Sequence, residues 1–152
     1  MPFDARIVEA QISLDLIASS DMPTIAWDGL EAGLDGKYIR RLAALESPTY
    51  FQVIEVLAKA MKEMGMTKLP RGHAALRLAK ARAKQILESG SDPLKQTRYF
   101  ARLWIEAGYP RELHLVGNLD DEVYIDHRPE PQIREWVVER LQQLIQSQET
   151  SE

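Results

Sequence analysis

"HAALRLAKARAKQILESGSDPLKQTRYFARLWIEAG", residues 73 to 108, decides the fold. Leu76, Ala79, Ala83, Ile86 and Leu87 recur at spacings of three and four, the period of a helix and not of a strand. The alanines in that stripe allow close helix packing. Gly90 supplies a stop, and Ser91 or Asp92 supplies a cap for a second helix with Pro93 in its first turn. In that second helix Phe100, Leu103, Trp104 and Ala107 share a face, and Gly108 followed by Tyr109-Pro110 ends it. Two amphipathic helices separated by a short break imply helix-on-helix packing.

The same punctuation extends in both directions. Upstream, "PTYFQVIEVLAKAMKEMG" places Tyr50, Ile54, Leu57, Met61 and Met64 on one face, with Ser47 as the expected cap, Pro48 as the first helical residue and Gly65 as the stop. "KYIRRLAALE" predicts a short helix closed by Ser47-Pro48, and "DMPTIAWDGLEAGLDG" another ending by Asp35-Gly36. From Asp4, "DARIVEAQISLDLIAS" carries two apolar rows, Ile7, Ala10, Leu14 and Ile17 beside Val8, Ile12 and Leu16. A helix with two such rows is buried on two sides or covers a partner; a strand is supported only by the alternation in "QISLDLI". Downstream, "PQIREWVVERLQQLIQSQ" repeats Ile133, Trp136, Val137, Leu141, Leu144 and Ile145, so its apolar face must dock on another element. The expectation is an all-α fold, a single compact domain over residues 1–147 with about six to eight helices, and a frayed polar tail at 148–152.

Composition agrees with a folded globular chain: 45% hydrophobic and 28% charged residues over 152 positions. The absence of cysteine rules out disulfides, zinc–thiolate sites and cysteine nucleophiles. "MPFDARIVEA" has no basic run followed by an apolar one, and no segment has the apolar length of a membrane span, so a cytoplasmic location is expected. The net charge of −4 conceals a strong segregation. Residues 1–67 hold six Lys/Arg against ten Asp/Glu, residues 68–102 nine against two, and residues 103–152 four against eleven. Basic and acidic helices then complement one another within the fold or across a self-association contact, or the basic middle meets an anionic partner.

Four motifs were weighed for chemistry. "VGNLDDEVYIDHRPEP" packs four carboxylates and a histidine into Asp120 to His127. Registered as a calcium loop from Asn118, it has Val123 where the turn glycine belongs and Pro129 where the bidentate glutamate belongs, so it fails. It reads instead as a helix start, with Asn118 as cap and Asp121 and Glu122 in a first turn where the dipole favours negative charge. Gly36-Lys37 lacks the upstream glycine and the following Ser/Thr of a phosphate-binding loop, and "SGSDP" lacks the second glycine of a hydrolase elbow. His73, His114 and His127 stand apart with no ligand spacing between them. No catalytic, cofactor or metal residue is identified, and the balance weighs against an enzyme, though a site assembled from distant residues stays open.

The remaining constellation is basic. Arg77, Lys80 and Lys84 form a stripe on one helix, Lys95, Arg98 and Arg102 repeat it on the next, and Tyr99 lies beside them as a stacking group for a base. This gives a candidate anionic-partner surface of Arg77, Lys80, Lys84, Arg98 and Arg102, within a two-helix ridge spanning residues 71–102. Set against it are the acidic total and a pI near 5.5.

The order of pieces, strongest around "ILESGSDPLKQTRYFARLW" with its Gly stop and Ser-Asp-Pro cap, resembles small uncharacterised bacterial all-helical proteins over about the last two thirds of the chain. The resemblance rests on capping and packing features, and implies a helical fold but no activity, cofactor or site. The expected function is protein interaction, as an adaptor, a regulatory subunit or an immunity-type binder, with a protein partner or self-association and no cofactor. Nucleic-acid binding by the basic ridge is the alternative, and an enzyme with an unrecognised site the second.

Overall fold

The computed structural model describes residues 2–147; the tail expected at 148–152 lies outside them. Among the described residues the chain is all-helical, with no strand. Its helices are α1 (Ala5–Ser13), α2 (Met22–Glu31), α3 (Lys37–Ala43), α4 (Tyr50–Glu63), α5 (Arg71–Ser89), α6 (Thr97–Glu106), the single turn α7 (His114–Gly117), α8 (Leu119–Ile125) and α9 (Glu130–Gln146). Three 3₁₀ turns, Ser19–Asp21, Pro93–Lys95 and Arg111–Leu113, join them. The chain divides into two compact units, Met1–Leu69 and Pro70–Glu152.

In the first unit α3 packs against both α2 and α4, over a core that includes Val8, Ile12, Met22, Ala26, Ile39, Leu42, Val53 and Met61. Asp4 caps α1 by accepting from the amides of Arg6 and Ile7. The helix does not reach Ile17 as its periodicity suggests. Asp15 adopts φ +57, and the amides of Asp15 and Leu16 close on the carbonyls of Ile12 and Gln11, a Schellman ending with aspartate in the left-handed position. Gly65 ends α4 in the same way at φ +74, its amide donating to the Lys62 carbonyl and the Met66 amide to that of Met61. The start of α4 also differs from expectation. Thr49, not Ser47, is the cap, because Thr49 and Gln52 form a reciprocal capping box and Pro48 stays outside the helix.

Two polar anchors fix the strand-free segment after α4. Buried Ser13 donates its hydroxyl to the Glu9 carbonyl at 2.7 Å and accepts the Leu69 amide at 2.9 Å. The Glu9 carboxylate accepts the Thr67 amide at 2.8 Å. The Thr67 and Leu69 amides therefore tie this segment to α1.

The second unit is organised round α5, which buries Ala74, Ala75, Leu76, Leu78, Ala79, Ala83 and Ile86 and packs against α9 and the Arg111–Leu113 turn. α9 buries Ile133, Val137, Leu141 and Leu144, the row its spacing predicts. α6 packs on α7 and α8, and Phe100 and Leu103 are buried from it. Asp92 caps the Pro93–Lys95 turn through the Leu94 amide, so α6 proper begins only at Thr97 and Lys95 lies outside it. Buried Thr97 donates to the Asp120 carboxylate at 2.8 Å, tying the start of α6 to α8.

Candidate interaction surface

The expected α4 stripe is split by the fold. Met61 and Met64 are buried and Leu57 is partly so, whereas Tyr50 is 60% and Ile54 47% exposed. The exposed end of α4 faces the segment that follows α1. The chain turns at Asp15, so Ile17 and Ala18 lie outside α1 and line a groove together with Tyr50 and Ile54 of α4. The groove measures about 610 Å³, with Ile12, Met22, Val53, Met61 and Met66 buried in its lining and Tyr50 and Ile54 at its exposed edge. Asp15, Ser19, Thr67 and Lys68 also line it, one acid against one base. The groove therefore offers apolar contact with almost no net charge. Methionine is unbranched and polarisable, so three in the lining can adjust to the shape of an incoming side chain. The hydrogen bonds that the Thr67 and Leu69 amides donate to Glu9 and Ser13 hold the Met66–Lys68 side of the groove in place.

Sequence pattern points to two of these residues, Ile12 and Ile17 on the apolar rows of α1 that are buried on two sides or cover a partner, and to none of the others as a site. Its missed signal was "TYFQVI", where Tyr50, Phe51 and Ile54 put three large apolar side chains on one and a half turns of a helix. Phe51 is 75% exposed, too much surface for a helix whose only task is to close a core.

The basic residues of the predicted ridge have several fates. Lys84, Arg98 and Arg102 are exposed. Arg77 and Lys80 are half-buried, and the Lys80 ammonium donates to the Ser147 carbonyl at the end of α9. Favourable cation placement at a helix C-terminus accounts for that contact. Tyr99 does not present a free ring: the Arg82 guanidinium lies 4.1 Å from its centroid, and burial raises the phenol's pKa above its ordinary value. The α6–α9 end is neutralised in the same fashion. Arg134 bonds Asp92 at 3.3 Å, which holds the Asp92 carboxyl below the usual range.

The acidic stretch is a helix start. Asp120, Asp121 and Glu122 occupy the first turn of α8, and Asp126 follows the helix and accepts from the Arg128 amide and guanidinium. Arg128 holds the Asp126 carboxyl down to about 2. Asn118 precedes the helix, but its side chain makes no capping bond, and the neighbouring turn α7 leads straight into it. Among the described residues no three His, Asp or Glu side chains are grouped to hold a metal ion. His73 lies in the first turn of α5, His114 opens α7 and His127 follows α8, and the last two are exposed. No helix among the described residues is long and apolar enough to cross a membrane. No protein-family model, curated protein or solved structure matches this chain.

Proposed function

We propose that the protein acts by binding another protein, as an adaptor, a regulatory subunit or an immunity-type binder, and that the groove of the first unit receives the apolar face of a partner's amphipathic helix. The observation that carries this reading is the α4 edge, where Tyr50 and Ile54 stand exposed beside buried Met22, Met61 and Met66. A helix offers apolar side chains at i, i+3, i+4 and i+7, and a groove of this kind accepts them one below another. The balanced pair Asp15 and Lys68 favours an occupant whose contacting face is uncharged. Exposed rim aromatics are also the residue types that dominate protein interfaces.

The test is affinity purification of the tagged protein from its source cells after nuclease treatment, run in parallel with Ile54→Glu and with the pair Arg98→Glu and Arg102→Glu. A stoichiometric protein recovered with the wild type and with the arginine pair, but lost with Ile54→Glu, supports groove binding. Recovery unaffected by Ile54→Glu removes the groove from the reading. Loss with the arginine pair alone, together with affinity for nucleic acid that falls steeply with salt, replaces it by the basic-ridge alternative.

A further inference from the structure

The first unit has fewer cations than anions, with seven Lys/Arg against ten Asp/Glu over residues 1–69, yet three of its cations gather round one side chain. The Lys59 ammonium on α4 lies 4.9 Å from the centroid of the Tyr38 ring, the Lys37 ammonium 5.5 Å and the Arg41 guanidinium 5.6 Å. Lys59 also reaches the Tyr38 hydroxyl at 3.5 Å. All three cations are exposed, and the tyrosine is half-buried.

Asp35 and Glu63, the carboxylates beside the start of α3, are committed elsewhere, and Glu55, one turn before Lys59 on α4, makes no ion pair with it. Asp35 bonds Arg40 at 3.2 Å and accepts the Gly36 amide at 2.9 Å. Glu63 turns one oxygen onto the amides of Tyr38 and Ile39, at 2.8 and 2.9 Å, and so closes the N-terminus of α3. Among the described residues Lys37, Arg41 and Lys59 make no ion pair. The ring quadrupole attracts each cation but leaves their combined charge uncancelled.

We propose that Lys37, Tyr38, Arg41 and Lys59 form a binding site for a phosphate group. Long, flexible lysine stems and a forked guanidinium can close on one small dianion, and the phenol adds a hydroxyl donor. Two negative charges suit three cations with the Glu63 carboxylate close behind. The site is unrelated to a phosphate-binding loop: the amides at Gly36-Lys37-Tyr38 that such a loop would use include one already bonded by Glu63. It lies in the first unit and does not depend on the groove.

The experiment is an amide-resolved NMR titration of the full chain at pH 7.5 with sodium phosphate, against sodium chloride at equal ionic strength, followed by a phosphoserine peptide. Saturable shifts centred on residues 37–41 and 59, absent with chloride, are expected. Arg41→Gln with Lys59→Gln, both exposed and outside the core, is expected to weaken binding about tenfold or more with the spectrum otherwise preserved. Tighter binding of the peptide than of free phosphate assigns the group to a phosphorylated chain, and equal or weaker binding assigns it to a small phosphate; both outcomes support the site. Shifts matched by chloride, or an affinity unchanged in the double variant, overturn it.

Discussion

Asp15 illustrates how one residue sets the surface. A non-glycine residue at φ +57 carries a backbone cost that aspartate bears better than most, and glycine removes. Asp15→Gly is therefore expected to raise stability by about 0.5–1 kcal/mol, measured by urea unfolding. Ser13 works in the opposite direction. Its buried hydroxyl accepts the half-buried Leu69 amide, so Ser13→Ala removes that partner and is expected to cost about 1 kcal/mol in the same assay. Asp126 supplies a pH signature. Its pKa is held at about 2 by Arg128, below the value of about 3.9 expected in an unfolded chain. A depressed carboxyl stabilises the folded state above the unfolded pKa, and that contribution disappears as pH falls through the folded pKa. The difference in Tm between wild type and Asp126→Asn is thus expected at pH 5–7 and should vanish between about pH 4 and pH 2. None of the three roles was legible in the sequence. Each depends on a partner, Gln11 and Ile12, Leu69 or Arg128, that periodicity does not select.

At the scale of elements, sequence pattern and structure agree where a helix has one apolar face and a glycine stop. The α9 row Ile133, Val137, Leu141 and Leu144 is buried, and Gly65, Gly90 and Gly108 all take positive φ where α4, α5 and α6 finish. Disagreement arises at caps, because several residues within a few positions can serve and only geometry chooses. Thr49 was passed over for Ser47, yet Thr49 completes the box with Gln52 while Ser47 sits outside at φ +40. Thr49→Ala is expected to destabilise by about 1 kcal/mol, and Ser47→Ala by less, since no cap is lost. Gly117 marks a contact that no pattern reveals. A methyl group there would overlap the Trp104 indole, whose N–H is already committed to the Pro110 carbonyl at 3.2 Å. Gly117→Ala should cost about 1–3 kcal/mol by chemical denaturation. The candidate groove was illegible for a related reason: α1 ends four residues before its apolar rows do, so Ile17 lines the groove from outside the helix.

Across the whole chain, charge segregation read from the sequence takes a more local form in the structure. The basic run of residues 68–102 falls mostly in the second unit, where residues 70–152 hold twelve Lys/Arg against thirteen Asp/Glu. Part of that charge is matched internally, through Arg134 to Asp92 and Lys80 to the end of α9. A sequence total or a running sum cannot distinguish a cation facing a carbonyl from one facing solvent. Exposed apolar area in the first unit is less easily absorbed, since Tyr50, Phe51 and Ile54 all keep large exposed surfaces. Partner binding through this surface should accordingly depend little on salt, in contrast to contacts carried by phosphate neutralisation.

The most direct measurement is methyl NMR of the methionines during titration with the recovered partner. Shifts at Met22, Met61 and Met66 that saturate with the partner and are lost in Ile54→Glu are the expected result. Saturable binding that leaves these three methyl groups unmoved would contradict groove recognition.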